Sequence, residues 1–267
     1  MSTAFAQTVW LIAALNVVFA CELAVLSFRK EWFLLGWQNR PRAGNVARYH
    51  SNGPLGHLAI LVAFSVLLPF ASSAPFAMKV LSGALFMVTA ALFHLQRYGH
   101  EGSDHVRLYA NVILFGAALV GSDETTISKA VLLAALAALG ASFYFGAGWV
   151  KVLSPKWRSG EAITIAFSTR LFGNEQFAAA LAKHKVAALA ISWAVIVWEL
   201  SFGPAMLLVG HYIFLWICVG LLFHGAVAVL MRLPVFLVAS LTLYPSMYWV
   251  ATEAVPAWFC LMRWGGA

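Results

Sequence analysis

The amino-acid sequence predicts an all-α, polytopic integral membrane protein, built as a helical bundle of about eight transmembrane helices with further helices along the membrane interface. The 267 residues are 62% hydrophobic and only 10% charged, whereas soluble domains contain about 25% charged residues. The mean hydropathy over the whole chain is +0.84, so the apolar residues are not confined to one anchor. These observations exclude a soluble enzyme, a disordered chain and a coiled coil.

The predicted transmembrane helices follow from apolar runs, because a helix needs about 20 mostly apolar residues to cross the hydrocarbon layer. The first run lacks a basic leading segment and a cleavage site, which indicates a retained span and not a signal peptide. No internal repeat or linker is visible, and we expect one transmembrane domain over residues 1–267. The predicted spans cover residues 8–27, 55–72, 75–96, 107–122, 130–150, 186–209, 211–231 and 233–251.

The connections between these spans carry most of the charge. Residues 28–54 and 151–185 interleave Lys and Arg with Trp and apolar residues, which predicts that 28–54 and 161–183 lie along the lipid headgroups. The stretch from Glu161 to Leu181 is amphipathic, which predicts an interfacial or re-entrant helix. Most of the 17 Lys and Arg residues follow the odd-numbered spans, so the positive-inside rule places those connections in the cytoplasm and both termini outside. We interpret the net charge of +7 as a determinant of topology and predict no nucleic-acid partner. The expected location is the cytoplasmic (inner) membrane if the source is bacterial.

Cysteine and histidine spacing argues against several kinds of site. Cys21, Cys218 and Cys260 are far apart and form no CxxC or Cys/His pattern, so neither a metal site nor a dithiol centre is predicted. His211 and His224 lie on nearly opposite faces of one predicted helix and cannot form a shared ligand stripe. Binding of haem or a pigment is kept as a minor alternative. A transporter is disfavoured because no inverted repeat is visible.

Ionisable residues inside the predicted spans are candidates for function, since a charge near the bilayer centre costs about 2.5–3.5 kcal/mol. The alternative for each is a structural role, with its polar group satisfied by hydrogen bonds between helices. Glu199 and His224 occupy consecutive spans that meet at Gly210. We therefore predict that both point into the bundle at similar depth and share a polar network, as second-tier site candidates. The complete set is Glu22, Lys79, His94, Glu199 and His224.

The fifth predicted span ends in the segment YFGAGWVKVLSPKWRSG. Helical spacing places Tyr144, Gly148 and Lys151 on one face, and small residues there let a flat ligand or another helix approach the backbone. Lys151 lies where the helix leaves the apolar layer, between Trp149 and Trp157. Loss of hydration favours a neutral amine that can accept a proton; the alternative is a cationic anchor in an aromatic belt.

This segment resembles a motif of the vitamin K-dependent gamma-carboxylases and the related horizontally transferred transmembrane (HTTM) domain. The shared pattern is an aromatic pair, an Ala-Gly step, a lysine three residues after that glycine and then Trp-x-x-Gly, here within residues 144–160. Residues 104–109 (DHVRLY) resemble the family's Asn-His-Ser-Tyr-Leu-Tyr stretch, and residues 198–200 (WEL) with 223–224 (FH) resemble its intramembrane Glu and Phe-His. The resemblance covers roughly residues 90–240 and is to a short form without the extramembrane domain of full-length carboxylases.

The resemblance implies a fold and a chemistry. In the family, a lysine deprotonates a reduced naphthoquinone, oxygen adds, and the resulting strong base removes a proton from a glutamate side chain, which captures CO2. By this resemblance Lys151 is the base, and His105 supports carboxylation by hydrogen bonding near the glutamyl or CO2 site. The implied cofactor is a reduced isoprenoid (vitamin K-like) quinone.

Both catalytic candidates are expected at one membrane surface, because Lys151 ends the fifth predicted span and His105 precedes the fourth. We therefore predict a pocket in which they converge. Aromatic and small residues would provide its walls and a surface for a flat ring to stack on. The predicted lining residues are Tyr144, Phe145, Gly148, Trp149 and Trp157.

Two classes of function follow from the sequence. The first is a quinol-dependent, carboxylase- or oxygenase-like membrane enzyme. The second is a non-catalytic or accessory membrane protein that holds a peptide, a pigment or a membrane complex, as in toxin maturation or assembly. The expected partners are membrane lipids, a lipid-soluble quinone and a peptide or membrane protein.

Overall fold

The computed structural model describes residues 2–28, 126–169 and 173–258, and these residues are helical throughout apart from short connections. They form eight α-helices, with a 3₁₀ turn at Gly210–Tyr212 before the seventh and a π-helical turn at Val250–Ala254 after the eighth. The helices are α1 Ser2–Phe28, α2 Thr126–Leu153, α3 Pro155–Arg158, α4 Glu161–Phe167, α5 Glu175–Lys183, α6 Lys185–Leu208, α7 Ile213–Leu230 and α8 Pro234–Trp249.

Within the described residues, three helical segments are long and apolar enough to cross a membrane: Lys129–Leu153, Lys185–Leu208 and Gly210–Leu230. They coincide with the spans predicted over 130–150, 186–209 and 211–231, and they indicate a multi-pass membrane protein. The predicted spans 8–27 and 233–251 are helical within α1 and α8, and their membrane crossing stays a prediction. The predicted spans 55–72, 75–96 and 107–122 lie outside the described residues, as does the connection 29–54.

The chain divides into two compact units, and the boundary at Leu132 falls early in α2. In the first unit, α1 buries Ile12 and Leu15. The ammonium of Lys129 lies 6.0 Å from the ring centroid of Phe5 within the same unit. Lys151 and Glu199 both lie in the second unit.

The second unit contains a helical hairpin at the turn that the sequence predicts. α6 and α7 are joined by the 3₁₀ turn, which begins at Gly210 with φ of +54°. This left-handed conformation is readily adopted by glycine because it has no Cβ. α7 packs against α8. Pro204 and Pro245 lie inside α6 and α8 without ending either helix.

The short helices α3, α4 and α5 form a cap over the start of α6. Its apolar core contains Ile163, Phe167, Ala178, Leu181 and Ala188, with Trp157 and Phe177 packed against it. Gly160 has φ of +79°, and a Cβ there would collide with the backbone at Leu189, so the cap lies directly on α6. The side chain of Trp193 on α6 donates a hydrogen bond to the carbonyl of Arg158 at 3.2 Å.

The interfacial or re-entrant helix predicted from Glu161 to Leu181 is two helices, α4 and α5. The single-helix prediction is wrong because local hydrogen bonds divide the segment. The amide of Ser168 donates to the carbonyls of Thr164 and Ile165 where α4 ends. The side chain of Asn174 accepts from the amide of Phe177 at 3.0 Å and caps the start of α5, which is a strong helix-start signal.

Candidate functional site

The candidate site is centred on an ion pair between the last turn of α2 and the middle of α6. The ammonium of Lys151 donates to both carboxylate oxygens of Glu199 at 2.7 Å. Their side chains are only 16% and 6% exposed. Two charges removed from water are costly unless they are paired with good geometry. The two-oxygen contact provides such geometry, so each charge has its counter-charge in direct contact.

Gly148 allows α2 and α6 to approach closely enough for this pair. A Cβ at this position would lie 2.9 Å from Leu200 Cγ and 3.1 Å from Glu199 Cβ. The sequence left open whether the small residues face a flat ligand or another helix. At Gly148 the neighbour is α6, and a ligand pocket lined by this residue stays a prediction.

Trp157 forms one wall of the ion-pair site. The Lys151 ammonium lies 5.0 Å from the centroid of the Trp157 ring, within range of a cation–π contact, which contributes about 0.5–2 kcal/mol depending on desolvation. The Ser192 hydroxyl of α6 donates to the carbonyl of Trp157 and holds α3 in place. The Lys151 ammonium also lies 3.5 Å from the carbonyl of Ala147, one turn back along α2.

A second polar cluster is centred on Tyr144, two turns before Lys151 and about 10 Å along the helix by its rise. The Tyr144 hydroxyl lies 3.0 Å from the Tyr244 hydroxyl of α8 and 3.2 Å from Nε2 of His224 on α7. The Tyr144 ring stacks on Phe202 with centroids 4.6 Å apart. α2, α6, α7 and α8 therefore all contribute to this cluster.

Trp198 connects the two clusters. It precedes Glu199 on α6, and its ring meets Tyr144 edge-on with centroids 5.0 Å apart. Its ring also lies 6.1 Å from that of His224. The indole N–H donates to the carbonyl of Trp216 at 3.0 Å, so the ring is anchored to α7.

The predicted network of Glu199 and His224 has a different arrangement from the one expected. Each residue has its own hydrogen-bond partner, Lys151 for Glu199 and Tyr144 for His224. The Glu199 side chain is buried, and Nδ1 of His224 is also buried. The hairpin at Gly210 brings the Trp198 ring, next to Glu199, to 6.1 Å from the His224 ring, but this proximity does not determine which side chains form hydrogen bonds.

Phe145 and Trp149 do not join the other predicted lining residues. They are 49% and 51% exposed and stack on each other, with centroids 6.1 Å apart and planes 9° apart. Each follows a buried α2 residue directly in sequence, and one residue step rotates a helix by about 100°. The inward face carries Tyr144 and Lys151, and the exposed face carries this pair.

Some predicted residues lie outside the described ranges, and one residue of the site was not predicted. His105, Lys79 and His94 lie outside the described residues, so the convergence of His105 with Lys151 stays a prediction. Tyr244 is a site residue that sequence reasoning missed. The available signal was a phenol within an apolar span, because a buried tyrosine hydroxyl usually needs a hydrogen-bond partner.

The arrangement can perform acid–base chemistry beside aromatic surfaces. Lys151 and Glu199 can exchange a proton along a 2.7 Å contact, and Trp157 shields them on one side.

Within the described residues no group of three or more His, Cys, Asp and Glu side chains could hold a metal ion. No protein-family model, curated protein or solved structure matches this chain.

Proposed function

We propose that this chain is a membrane-embedded, vitamin K-dependent gamma-carboxylase-like (HTTM) enzyme that uses Lys151 to take a proton from a reduced isoprenoid quinone. The observation that carries the proposal is the Lys151–Glu199 pair, held at 2.7 Å between two helices of membrane-spanning length. The resemblance assigns the base role to this same lysine. A lysine can act as a base only as a neutral amine, and the Glu199 carboxylate can accept the proton that the ammonium must lose.

The pair accounts for how a lysine in contact with a carboxylate can still act as a base. Transfer of one Nζ proton to Glu199 leaves a neutral amine beside a neutral acid. Burial reduces the free-energy difference between the charged pair and the neutral pair, because charges are costly away from water. The neutral amine then accepts a proton from a ligand hydroxyl within hydrogen-bond reach, as a general base must. Glu199 is a positioning residue that stores the proton.

The residues present fit a flat aromatic ligand with polar ring oxygens. The ring of Trp157, which is not fully buried, offers a face to such a ligand, and Nδ1 of His224 is a buried polar atom that none of the described residues satisfies. A bound reduced quinone would supply the electrons that reduce oxygen, and with them a base strong enough to deprotonate a carbon acid. The proposed role of His105, outside the described residues, is to hydrogen-bond near the glutamyl or CO2 site.

The proposal includes a complete membrane topology. The bundle has about eight spans, both termini are outside, and the cap and residues 28–54 lie along the interface in contact with lipid. Support comes from the three helices of membrane-spanning length and from the basic residues of the cap. Lys156, Arg158, Lys183 and Lys185 lie on the cap or at its junction with α6 and are not buried.

The test is oxygen-dependent oxidation of vitamin K1 hydroquinone by the full chain in lipid nanodiscs. Lys151→Arg keeps the positive charge but removes the accessible neutral form. We expect the rate to fall at least 100-fold, in line with general-base contributions of about 10²–10⁴. Lys156→Arg is the matched control, since Lys156 is an exposed lysine five residues away. Equal rates in Lys151→Arg and the unmodified chain would rule out the base role.

A second candidate function is an accessory membrane protein that holds a peptide or another membrane complex. The observation that favours it is that Lys151 and Glu199 neutralise each other, with the ammonium bound to both carboxylate oxygens. Such an ion pair can be purely structural. Under this alternative the chain oxidises no quinol. Exchanging the two residues, Lys151→Glu with Glu199→Lys, would then preserve its biological activity.

A further inference from the structure

Three side chains from three helices form a continuous hydrogen-bonded chain. Tyr244 on α8 contacts Tyr144 on α2 at 3.0 Å, and Tyr144 contacts Nε2 of His224 on α7 at 3.2 Å. His224 is half-buried, but its Nδ1 atom is buried and none of the described residues is its partner. The chain therefore ends at one unsatisfied polar atom.

Counting hydrogens indicates the direction of this chain. A neutral histidine has one ring N–H donor and one acceptor nitrogen, and a phenol has one donor hydrogen. If Tyr244 donates to Tyr144 and Tyr144 donates to Nε2, all hydrogens but one are used within the three residues, and the proton of His224 is on Nδ1. In the opposite direction the Tyr244 hydrogen needs an acceptor outside the three residues, which the hydroxyl of Ser240, one turn earlier on α8, can provide, and Nδ1 is then an unpaired acceptor. The first direction needs no further residue and leaves the Nδ1–H donor as the single unpaired group.

Gly220 makes this geometry possible. It lies one turn before His224 on α7, and a Cβ there would collide with the Tyr244 hydroxyl and lie 2.8 Å from the ring of Trp198. The close approach of Tyr244 to α7 thus depends on a missing side chain. A buried donor without an acceptor costs about 1–3 kcal/mol, so the complete site should include an acceptor for it.

We propose that His224 binds an oxygen of a quinone-type ligand through Nδ1–H, with Tyr144 and Tyr244 as positioning residues that keep the proton on Nδ1. This inference rests on the proposed function, since it names how that ligand is held. Lys151 would act on one ring oxygen and His224 would bind another. The site would accordingly require a ligand that carries an acceptor oxygen on each side of its ring.

The experiment compares His224→Asn with His224→Gln in the full chain in nanodiscs, with menadione carrying ¹³C at its carbonyls as the probe. An asparagine amide can place its N–H near the position of Nδ1, whereas a glutamine amide reaches the position of Nε2. We expect infrared difference spectra to show a lowered carbonyl stretching frequency in the unmodified chain and in His224→Asn. In His224→Gln the shift should be lost, with a Kd raised about 3- to 10-fold, as expected for one hydrogen bond.

Further variants distinguish a positioning role of the two tyrosines from a general effect on folding. Tyr144→Phe should weaken the shift while the lysine-dependent oxidation of quinol remains measurable, and Tyr244→Phe should have a smaller effect. His211→Phe is the control, because His211 is exposed and its ring lies near Tyr248 instead. If menadione binds with the same affinity and the same carbonyl frequency in His224→Gln, the inference is overturned while the proposed function stands. If menadione does not bind the unmodified chain at all, both fail together.

Discussion

Lys151 has contacts that bear on both the stability of the protein and its proposed chemistry. Its ammonium contacts both oxygens of Glu199, approaches the carbonyl of Ala147 and lies over the ring of Trp157. Removal of one partner of such a buried pair leaves an uncompensated charge. The resulting loss of folding free energy therefore exceeds the net contribution of the ion pair. A change in stability after mutation must therefore be separated from a change in chemistry.

We predict that Glu199→Gln lowers both stability and activity. The amide cannot neutralise Lys151 or accept its proton, so unfolding should become easier by about 3–5 kcal/mol. Thermal unfolding in detergent measures the first effect, and quinol oxidation measures the second.

The double variant Lys151→Glu with Glu199→Lys is the control for this prediction. It restores an ion pair across α2 and α6 and should recover most of the lost stability. Quinol oxidation should remain low because the amine now projects from α6 and not from α2. Unchanged thermal unfolding in Glu199→Gln alone would contradict the importance of the pair.

At the level of elements, glycines determine how closely helices approach in this unit. Gly148 lets α2 meet α6, Gly160 lets the cap rest on α6, and Gly220 lets Tyr244 approach α7. Small residues at helix interfaces are the usual means by which membrane helices pack closely, because van der Waals contact drives their association.

We predict that Gly148→Ala destabilises the protein, whereas Gly146→Ala does not. A Cβ at position 148 meets Leu200 at 2.9 Å, while nothing lies within 4 Å of a Cβ at position 146. Overpacking of this kind costs about 1–3 kcal/mol, and alanine at an open helical position is about 1 kcal/mol better than glycine. Equal melting temperatures for the two variants would show that the α2–α6 contact is not tight.

At the largest scale, the helices of the second unit define two ends. The cap lies where α2 ends and α6 begins, and the turn at Gly210–Tyr212 lies at the other end of α6. α6 has 24 residues, and at 1.5 Å per residue this separates the two ends by roughly 36 Å. That length is sufficient to cross a hydrocarbon core of about 30 Å.

Cysteine labelling tests the orientation. In a background without Cys21, Cys218 and Cys260, a cysteine at Tyr212 should react with an impermeant reagent from outside the cell. A cysteine at Lys156 should react only in inverted vesicles, as the basic cap is expected in the cytoplasm. Labelling of both positions from the same side would contradict a membrane-spanning α6. Exchange of the two sides would contradict only the predicted orientation.

The sequence was sufficient to predict α2, α6 and α7 as candidate spans, because the preference of a side chain for hydrocarbon over water does not depend on the rest of the chain. The backbone hydrogen bonds of a helix also lie within its own segment. The hairpin turn was equally local, since Gly210 interrupts two such runs with a residue suited to positive φ. Inward placement of Tyr144, Gly148 and Lys151 followed from helical periodicity, and the same periodicity would have placed Phe145 and Trp149 on the other face.

The partners of the site residues were decided only by the tertiary structure. Glu199 is far from Lys151 in the chain, and their contact depends on the α2–α6 approach at Gly148. Tyr244 reaches Tyr144 only because Gly220 leaves space on α7. Composition and spacing fix which residues lie within the apolar layer and on which helix face. The choice among several inward-facing polar groups is set by interhelical distances, and these arise from packing that no single segment contains.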